Sequence, residues 1–435
     1  MNIRQIALRI LDEYEAGDKY INLALSSHLT DGLSREEKAA LTALLYSSVE
    51  RSLTYDYYIC AISKRSDGDI DPHTKNILRL GLCQLLDMHS IPDFAAVNET
   101  VKLARNKGEK AFVNGVLRHA ANNKDSLPMP DENKNYRRYL SVKYSFPLAI
   151  VKHLDRLYGR EATESILSFY NTEKYTDITL NTLKTTQNEY MDRLAELGIT
   201  AEQNEFAKSS LRIPTSVNPE RLPGFSEGLF FVQDRASAIC SEVLSAEENE
   251  LVIDVCSAPG GKSLASAIHS SDKAEIYSFD LHESKLSLIS DSAKRLGMNS
   301  IKVDQRDATK PDESLIGKAD KVICDAPCSG LGVLGKKPDL RYKDLAAAFE
   351  LPELQLDILT ASARYLKRGG TLVYSTCTLN HAENEDIVRV FLENNREFES
   401  VPFTVGNIDC AEGMLTLLPH IHNTDGFFIA KIRRK

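Results

Sequence analysis

The sequence predicts an α/β protein whose carboxyl-terminal half is a mainly parallel sheet covered by helices on both faces, preceded by an all-helical domain and a small α+β segment. Three observations carry that expectation. From residue 226 onward, short apolar runs at 251–255, 275–279, 301–303, 321–324 and 371–375 alternate with helical patterns. The first run opens directly into a glycine turn, Asp254-Val255-Cys256-Ser257-Ala258-Pro259-Gly260-Gly261-Lys262. Over residues 1–125, apolar side chains instead recur at three-and-four spacing with no strand pattern between them.

The first helix is marked by Ile3, Ile6, Ala7, Ile10, Leu11 and Tyr14 on one face. Ser34 with Glu37 forms a capping box before Ala40, Leu41, Leu44 and Leu45, and Asp71-Pro72 supplies an N-cap and a first-turn proline before Ile77, Leu78 and Leu82. Further helices are expected after Pro92 and Gly108, and the domain, placed at 1–125, ends in a polar stretch running to Asp131. Residues 132–225 read as a small α+β linker domain, with helices at 148–158 and 161–170 and strands near 178–180 and 211–213. The sheet domain is placed at 226–435. A chain of 435 residues at 42% hydrophobic exceeds what one core serves, which agrees with two or three domains.

No apolar run approaches the roughly 18 to 20 residues of a membrane span, and Met1-Asn2-Ile3-Arg4-Gln5 opens an amphipathic helix, not a signal peptide. A soluble, cytoplasmic protein is expected. Its eight cysteines are scattered, which argues for reduced thiols. Cys324 and Cys328 have a metal-like gap, but Cys324 lies inside an apolar strand and faces away from a loop residue, so no metal is expected. A net charge of -9 means that any polyanion contact must be local. Between Val101 and Lys124 stand Lys102, Arg105, Lys107, Lys110, Arg118 and Lys124 against Glu109 alone, a candidate contact or simply a solvated helix face.

Ligands of such sheets bind beyond the carboxyl ends of the strands, where strand order reverses. Asp280 ends the second strand and can accept hydrogen bonds from ribose hydroxyls, while Asp307 after the third can reach an adenine edge. The turn reads Ala-Pro-Gly-Gly-Lys, which is neither a dinucleotide fingerprint nor a Walker loop. S-adenosylmethionine, an adenosine with an amino-acid tail, fits it better than a nicotinamide.

Cys328 in Asp325-Ala326-Pro327-Cys328-Ser329-Gly330 and Cys377 in Ser375-Thr376-Cys377-Thr378 follow neighbouring strands. Hydride transfer needs no such pair, whereas methylation of carbon 5 of cytosine needs one thiolate to add to carbon 6 and make carbon 5 nucleophilic. Asp325 is placed to hydrogen-bond the ring. Cys60, Cys83, Cys240 and Cys324 read as small buried hydrophobes, and Cys256 as packing within the cofactor turn.

With these residues in view, the chain resembles the RNA cytosine-5 methyltransferases of the NOL1/NOP2/Sun group. The likeness rests on the Asp-x-Cys-x-Ala-Pro-Gly-Gly-Lys, Asp-Ala-Pro-Cys-Ser-Gly and Ser-Thr-Cys-Thr blocks in the right order, and extends over essentially all 435 residues to the closing Asp425-Gly426-Phe427-Phe428. It implies a NusB-like helical RNA-binding domain, a linker domain and a Rossmann-like class I methyltransferase domain. It also implies S-adenosylmethionine as cofactor and 16S ribosomal RNA as partner, with 5-methylcytosine as product; a monomer is expected. By the same resemblance Cys377 is the nucleophile and Cys328 the partner in product release. Cys256, Ser257, Ala258, Pro259, Gly260, Gly261, Lys262, Asp280, Asp307 and Asp325 become cofactor positions, Asp325 serving the base as well.

Departures from the family pattern are Ser257 for alanine, Thr179 for arginine, Gly335 in a normally basic loop and His381 for proline, with Lys336, Lys337 and Arg341 retaining positive charge. The same chemistry on transfer RNA or another ribosomal cytosine stays open, as does a non-catalytic RNA-binding or antitermination role. A stacked cytosine is out of reach, so the target should lie in a loop or be flipped out.

Overall fold

Helices fill most of residues 3–170 of the computed structural model, which describes residues 2–17, 21–28, 32–172, 174–214, 217–342, 345 and 350–435, and only the backbone of 22, 23, 26 and 27. Two compact units are formed, Met1–Asn171 with Lys337–Lys343, and Thr172–Lys336 with Asp344–Lys435.

In the first unit the helices start where capping chemistry permits. Ser34 Oγ accepts from the Glu37 N–H and the Glu37 carboxylate accepts from the Ser34 N–H (2.8 Å), and Asp71 accepts from the Thr74 N–H ahead of helix Pro72–Leu86. That helix is buried along most of its surface and is the one its neighbours pack around, burying Ile77, Leu78, Leu80, Leu82, Cys83 and Leu85 together with the polar Asn76, Arg79 and Gln84. The helices expected at 148–158 and 161–170 are one run, Leu148–Tyr170, broken at Gly159. Arg341 is wholly buried here: it donates to Glu50 Oε1 (2.9 Å) and the Tyr170 carbonyl (3.3 Å), with its guanidinium 4.0 Å from the Phe146 ring centroid. The positive charge expected of Arg341 is therefore consumed inside this unit.

The second unit holds two main sheets. β1 (Tyr175–Leu180), β2 (Glu202–Gln203), β3 (Ser210–Pro214) and β4 (Phe230–Val232) form an antiparallel sheet in the order β2-β3-β1-β4. Its core is Ile178, Leu180, Leu211, Ile213 and Phe230, closed by Tyr190 and Leu194 of helix Gln187–Glu196. The larger sheet contains β5 (Leu251–Asp254), β6 (Glu275–Asp280), β7 (Ile301–Gln305), β8 (Ala319–Asp325) and β9 (Leu366–Thr376), all parallel, with order running out from β5 to β6 and β7 on one side and to β8 and β9 on the other. Past a small hairpin of β11 (Phe403–Val405) and β12 (Ile408–Cys410), antiparallel β14 (Phe427–Arg434) pairs with β9, β10 (Phe398–Ser400) and β13 (Met414–Leu417).

Alternation along each strand explains the two covered faces. Val252, Ile276, Ile323 and Val373 pack with helices Arg235–Leu244 and Gly261–His269, whereas Ile253, Val322, Cys324 and Leu372 pack with Leu351–Ala363 and Glu385–Asn394. Strand order reverses between β5 and β8, so the crevice predicted for a ligand opens at the ends of these two strands. No helix among the described residues is long and apolar enough to cross a membrane.

Candidate active site

The turn after β5 is held almost entirely by backbone. Ser257 donates through its N–H (2.8 Å) and Oγ (2.9 Å) to the Phe279 carbonyl, and the Gly260 N–H closes on the Ser257 carbonyl (2.6 Å). Gly260 sits at φ 105°, a left-handed conformation that side chains resist, and a Cβ there would lie 3.1 Å from Ile289. Helix Gly261–His269 begins at once, so its free N–H groups border the turn.

Asp280, ending β6, accepts the Ala258 N–H at Oδ2 (3.1 Å) and the His282 N–H at Oδ1 (3.0 Å). A carboxylate offers about four acceptor positions, so each oxygen retains one for a ribose hydroxyl. Asp254 is also buried: Oδ2 accepts from Ser263 Oγ (2.7 Å), while Oδ1 closes no hydrogen bond among the described residues. Burial pushes its carboxyl up to about 7, against the Ser263 hydrogen bond and the Lys262 charge. A buried acceptor left open and a cradle that excludes a side chain fit the adenosine and amino-acid ends of a nucleoside cofactor. Asp307, after β7, accepts from Thr309 (N–H 3.0 Å, Oγ1 2.7 Å) and pairs with Lys310 (2.9 Å); those contacts, Lys310 first, hold it down to about 2.

Across the crevice Asp325 ends β8. Its Oδ2 pairs with Lys262 Nζ (2.6 Å) and its Oδ1 accepts from Ser375 Oγ (2.7 Å), the residue opposite it in the β8–β9 register. Burial alone would lower the Lys262 ammonium, but Asp325 and Cys240 outweigh it and leave it raised. The ammonium also sits 5.4 Å from the Phe427 ring centroid, a cation–π contact from β14.

Just beyond, the Cys328 and Cys377 sulfurs are 3.2 Å apart, within hydrogen-bond reach. Both thiols are half-buried. The Cys328 thiol is pushed well above its ordinary range, first by its hydrogen bond to Cys377 and then by burial. The residues flanking it are fixed from a distance: Gln355 Nε2 donates to the Pro327 carbonyl (2.9 Å), and Glu383 accepts from the Ser329 N–H (2.8 Å) and Oγ (2.6 Å). Ser329 Oγ lies 2.7 Å from Thr378 Oγ1, next to Cys377. From the other side, the Gly332 N–H donates to the Cys377 carbonyl (3.0 Å) and the Gly426 N–H to the Gly332 carbonyl (2.9 Å). A Cβ at Gly332 would fall 1.8 Å from the Gly426 oxygen and 2.8 Å from the Cys377 oxygen.

The loop after Gly332 corrects one expectation. Lys336 pairs with Asp177 (3.3 Å), Asp425 (3.1 Å) and Asp234, so its charge is neutralised within the fold and is not free for a polyanion. Burial and the adjoining Asp234 push the Asp425 carboxyl well up. Thr179 is likewise occupied, its buried hydroxyl donating to Gln233 (2.8 Å).

The structure thus brings Cys328, Cys377, Asp325 and Lys262 together, at the adjoining carboxyl ends of β5, β8 and β9. Asp254, Ser375, Gln355 and Glu383 brace this candidate site without being singled out by the sequence; Asp254 stands inside the quoted turn, and only its burial distinguishes it. Cys83, Cys240 and Cys324 are buried, each pushed up to about 12 chiefly by burial. Among the described residues no group of three or more His, Cys, Asp or Glu side chains could hold a metal ion.

Residues 241–433 match the family described as 16S rRNA methyltransferase RsmB/F, residues 1–122 the NusB family, and residues 146–219 the RsmF/B-like ferredoxin-like domain. The chain is 36% identical to the "Probable ribosomal RNA small subunit methyltransferase B" of Synechocystis sp., covering 100% of both chains. It is 34% identical to the protein of the same name from Bacillus subtilis, covering 100% of this chain and 99% of that one. The crystal structure of PH0851 superposes with a TM-score of 0.78 at 28% identity, over 100% of this chain and 99% of the other. Fold and matches define an RNA methyltransferase built on a Rossmann-like domain. More narrowly, the chain belongs to the 16S rRNA methyltransferase RsmB/F family.

Proposed function

We propose that this protein transfers a methyl group from S-adenosylmethionine to carbon 5 of a cytosine in 16S ribosomal RNA through a covalent adduct with Cys377. The observation that carries the reading is the pair of sulfurs 3.2 Å apart, beside the Lys262–Asp325 pair and across from the glycine turn. When bound, S-adenosylmethionine supplies an electrophilic sulfonium methyl group. Asp254, Cys256 through Gly261, Asp280, Asp307 and Asp325 are the residues that would hold it.

The chain's own residues then act in order. Cys377, its proton given to solvent, adds to carbon 6, and electron density moves to carbon 5, which takes the methyl group as the bond from that methyl to the sulfonium sulfur breaks. Cys328, the upward push on whose thiol makes it a strong base once its own proton has passed to solvent, accepts the carbon-5 proton; those electrons restore the 5,6 double bond and Cys377 leaves as thiolate. Lys262 Nζ, fixed on Asp325, supplies positive charge beside the base while the ring is electron-rich.

RNA docking falls to residues 1–125 in this reading. Helix Lys107–Asn122 presents exposed Lys107, Lys110 and Arg118, for which no ion pair is formed among the described residues, whereas Lys102, Arg105 and Lys124 are paired with Glu99, Asp71 and Glu109, and Asp93. The test of the chemistry is a 16S-derived RNA carrying 5-fluorocytosine, incubated with protein and methyl donor. A stable adduct mapping to Cys377 is expected; none, or one at another residue, ends the proposal.

A further inference from the structure

Glu383 is a wholly buried carboxylate whose partners among the described residues are all neutral: the Ser329 N–H (2.8 Å), Ser329 Oγ (2.6 Å), Gln355 Nε2 (3.0 Å) and Asn380 Nδ2 (3.0 Å). Four donors fill the acceptor positions of an ionised carboxyl, which is how a buried charge without a counter-ion is tolerated. A glutamine or an apolar contact would tie two loops together at lower desolvation cost, so retention of charge here calls for a reason.

That reason lies in what the carboxylate touches. It holds Ser329, directly after Cys328; the same hydroxyl meets Thr378, directly after Cys377. Gln355, bound to the same carboxylate, holds Pro327 directly before Cys328. The backbone is pinned from beneath as well, because Tyr374 Oη donates to the Glu383 carbonyl (2.7 Å) and Asn384 Nδ2 to the Thr378 carbonyl (3.0 Å). One side chain therefore sets both flanks of Cys328 and one flank of Cys377, and its charge lies on the side of Cys328, where it adds to the upward push on that thiol.

We propose that Glu383 is the positioning residue of the release step: it fixes the Cys328 sulfur against Cys377 so that Cys328 takes the carbon-5 proton as the Cys377–carbon 6 bond breaks. This rests on the thiol roles proposed above. In the full-length protein, Glu383→Gln keeps the size of the side chain but removes the charge and turns one acceptor into a donor facing Ser329. Adduct formation with unmodified cytosine RNA is expected at near the parent rate, while adduct decay slows by about tenfold to a hundredfold. kcat and the KM for RNA then fall together, because the covalent state accumulates. A merely structural loss would instead raise KM or reduce adduct formation in proportion to activity.

Ser329→Ala, which removes only the hydroxyl link, is expected to slow decay in the same direction by a smaller factor, and decides the matter should Glu383→Gln fail to fold. Normal adduct decay in the folded variants, or activity lost only through adduct formation, overturns the proposal. Cys328→Ala run alongside separates the two levels of the argument. If Cys328→Ala itself stalls no adduct, the thiol assignment has failed; if it stalls one and neither Glu383→Gln nor Ser329→Ala does, the role of Glu383 has failed.

Discussion

The two ends of the catalytic crevice are built in different ways. At the glycine turn, Ser257, Gly260, Ala258 and His282 are all held through backbone N–H groups, each to a partner within the turn or at the adjoining end of β6. At the thiol end, side chains reach across long stretches of sequence: Glu383 to Ser329, Gln355 to Pro327, Asp325 to Ser375. A ligand gripped by backbone shape needs a contiguous motif with glycine at the tight position. Two reacting sulfurs need only correct placement, and any distant side chain with the right hydrogen bonds can provide it.

Removing the proposed nucleophile should give the largest effect. Cys377→Ala is expected to lower methyl incorporation by on the order of a thousandfold or more, with no adduct on denaturing gels. Cys328→Ala should instead leave a stalled adduct, and the reverse pattern would exchange the roles of the two cysteines. Next, Lys262→Met tests the bridge between the two ends. It strands the Asp325 carboxylate beside apolar surface, and a loss of about 2–4 kcal/mol is expected in urea unfolding.

The turn itself is probed by pH. Asp254 stands at about 7 in the folded chain against an ordinary 3.8, so the folded state binds more protons between those values. Stability from this group is full at acid pH, declines as pH rises from about 4 to about 7, and is flat above. Asp254→Asn should remove that decline and gain about 2 kcal/mol at pH 8 in chemical unfolding, half of the roughly 4 kcal/mol the shift is worth because the buried amide needs partners of its own, while weakening cofactor binding by calorimetry. An unchanged pH profile would mean that the carboxyl is not held neutral. For RNA docking, replacing Lys107, Lys110 and Arg118 by alanine should flatten the plot of log affinity against log salt by about two to three, without altering adduct decay. The smallest effect belongs to Asp307, whose carboxyl is held down to about 2. Its contribution is present above about pH 4 and lost as pH falls toward 2, and Asp307→Asn should cost less than about 1 kcal/mol at pH 7 because the group is a third exposed.

What was legible in the sequence follows the same division. The turn, both thiols, Asp280 and Asp325 are visible because each lies at the end of an apolar run or beside turn residues, where burial and chemistry leave local marks. Glu383 leaves none: in Ala382-Glu383-Asn384-Glu385 it looks like the acidic start of a helix, and only the fold shows it wholly buried against Ser329. Lys336 misled in the opposite sense. Its neighbours in sequence are apolar or basic, and the three carboxylates that neutralise it come from Asp177, Asp234 and Asp425. Strand β9 begins at Leu366, earlier than the apolar run suggests, because Leu366 already pairs with Ala319 before Lys367, Arg368, Gly369 and Gly370 bulge out of register and the ladder resumes at Thr371.

The contact of Gly332 with Gly426 offers a practical lever. Because no room exists there even for one methyl group, Gly332→Ala would displace the peptide under residue 377 while leaving every thiol, carboxylate and basic surface chemically intact. Such a chain would be a matched inert twin of the enzyme, suited to capturing its RNA without converting it.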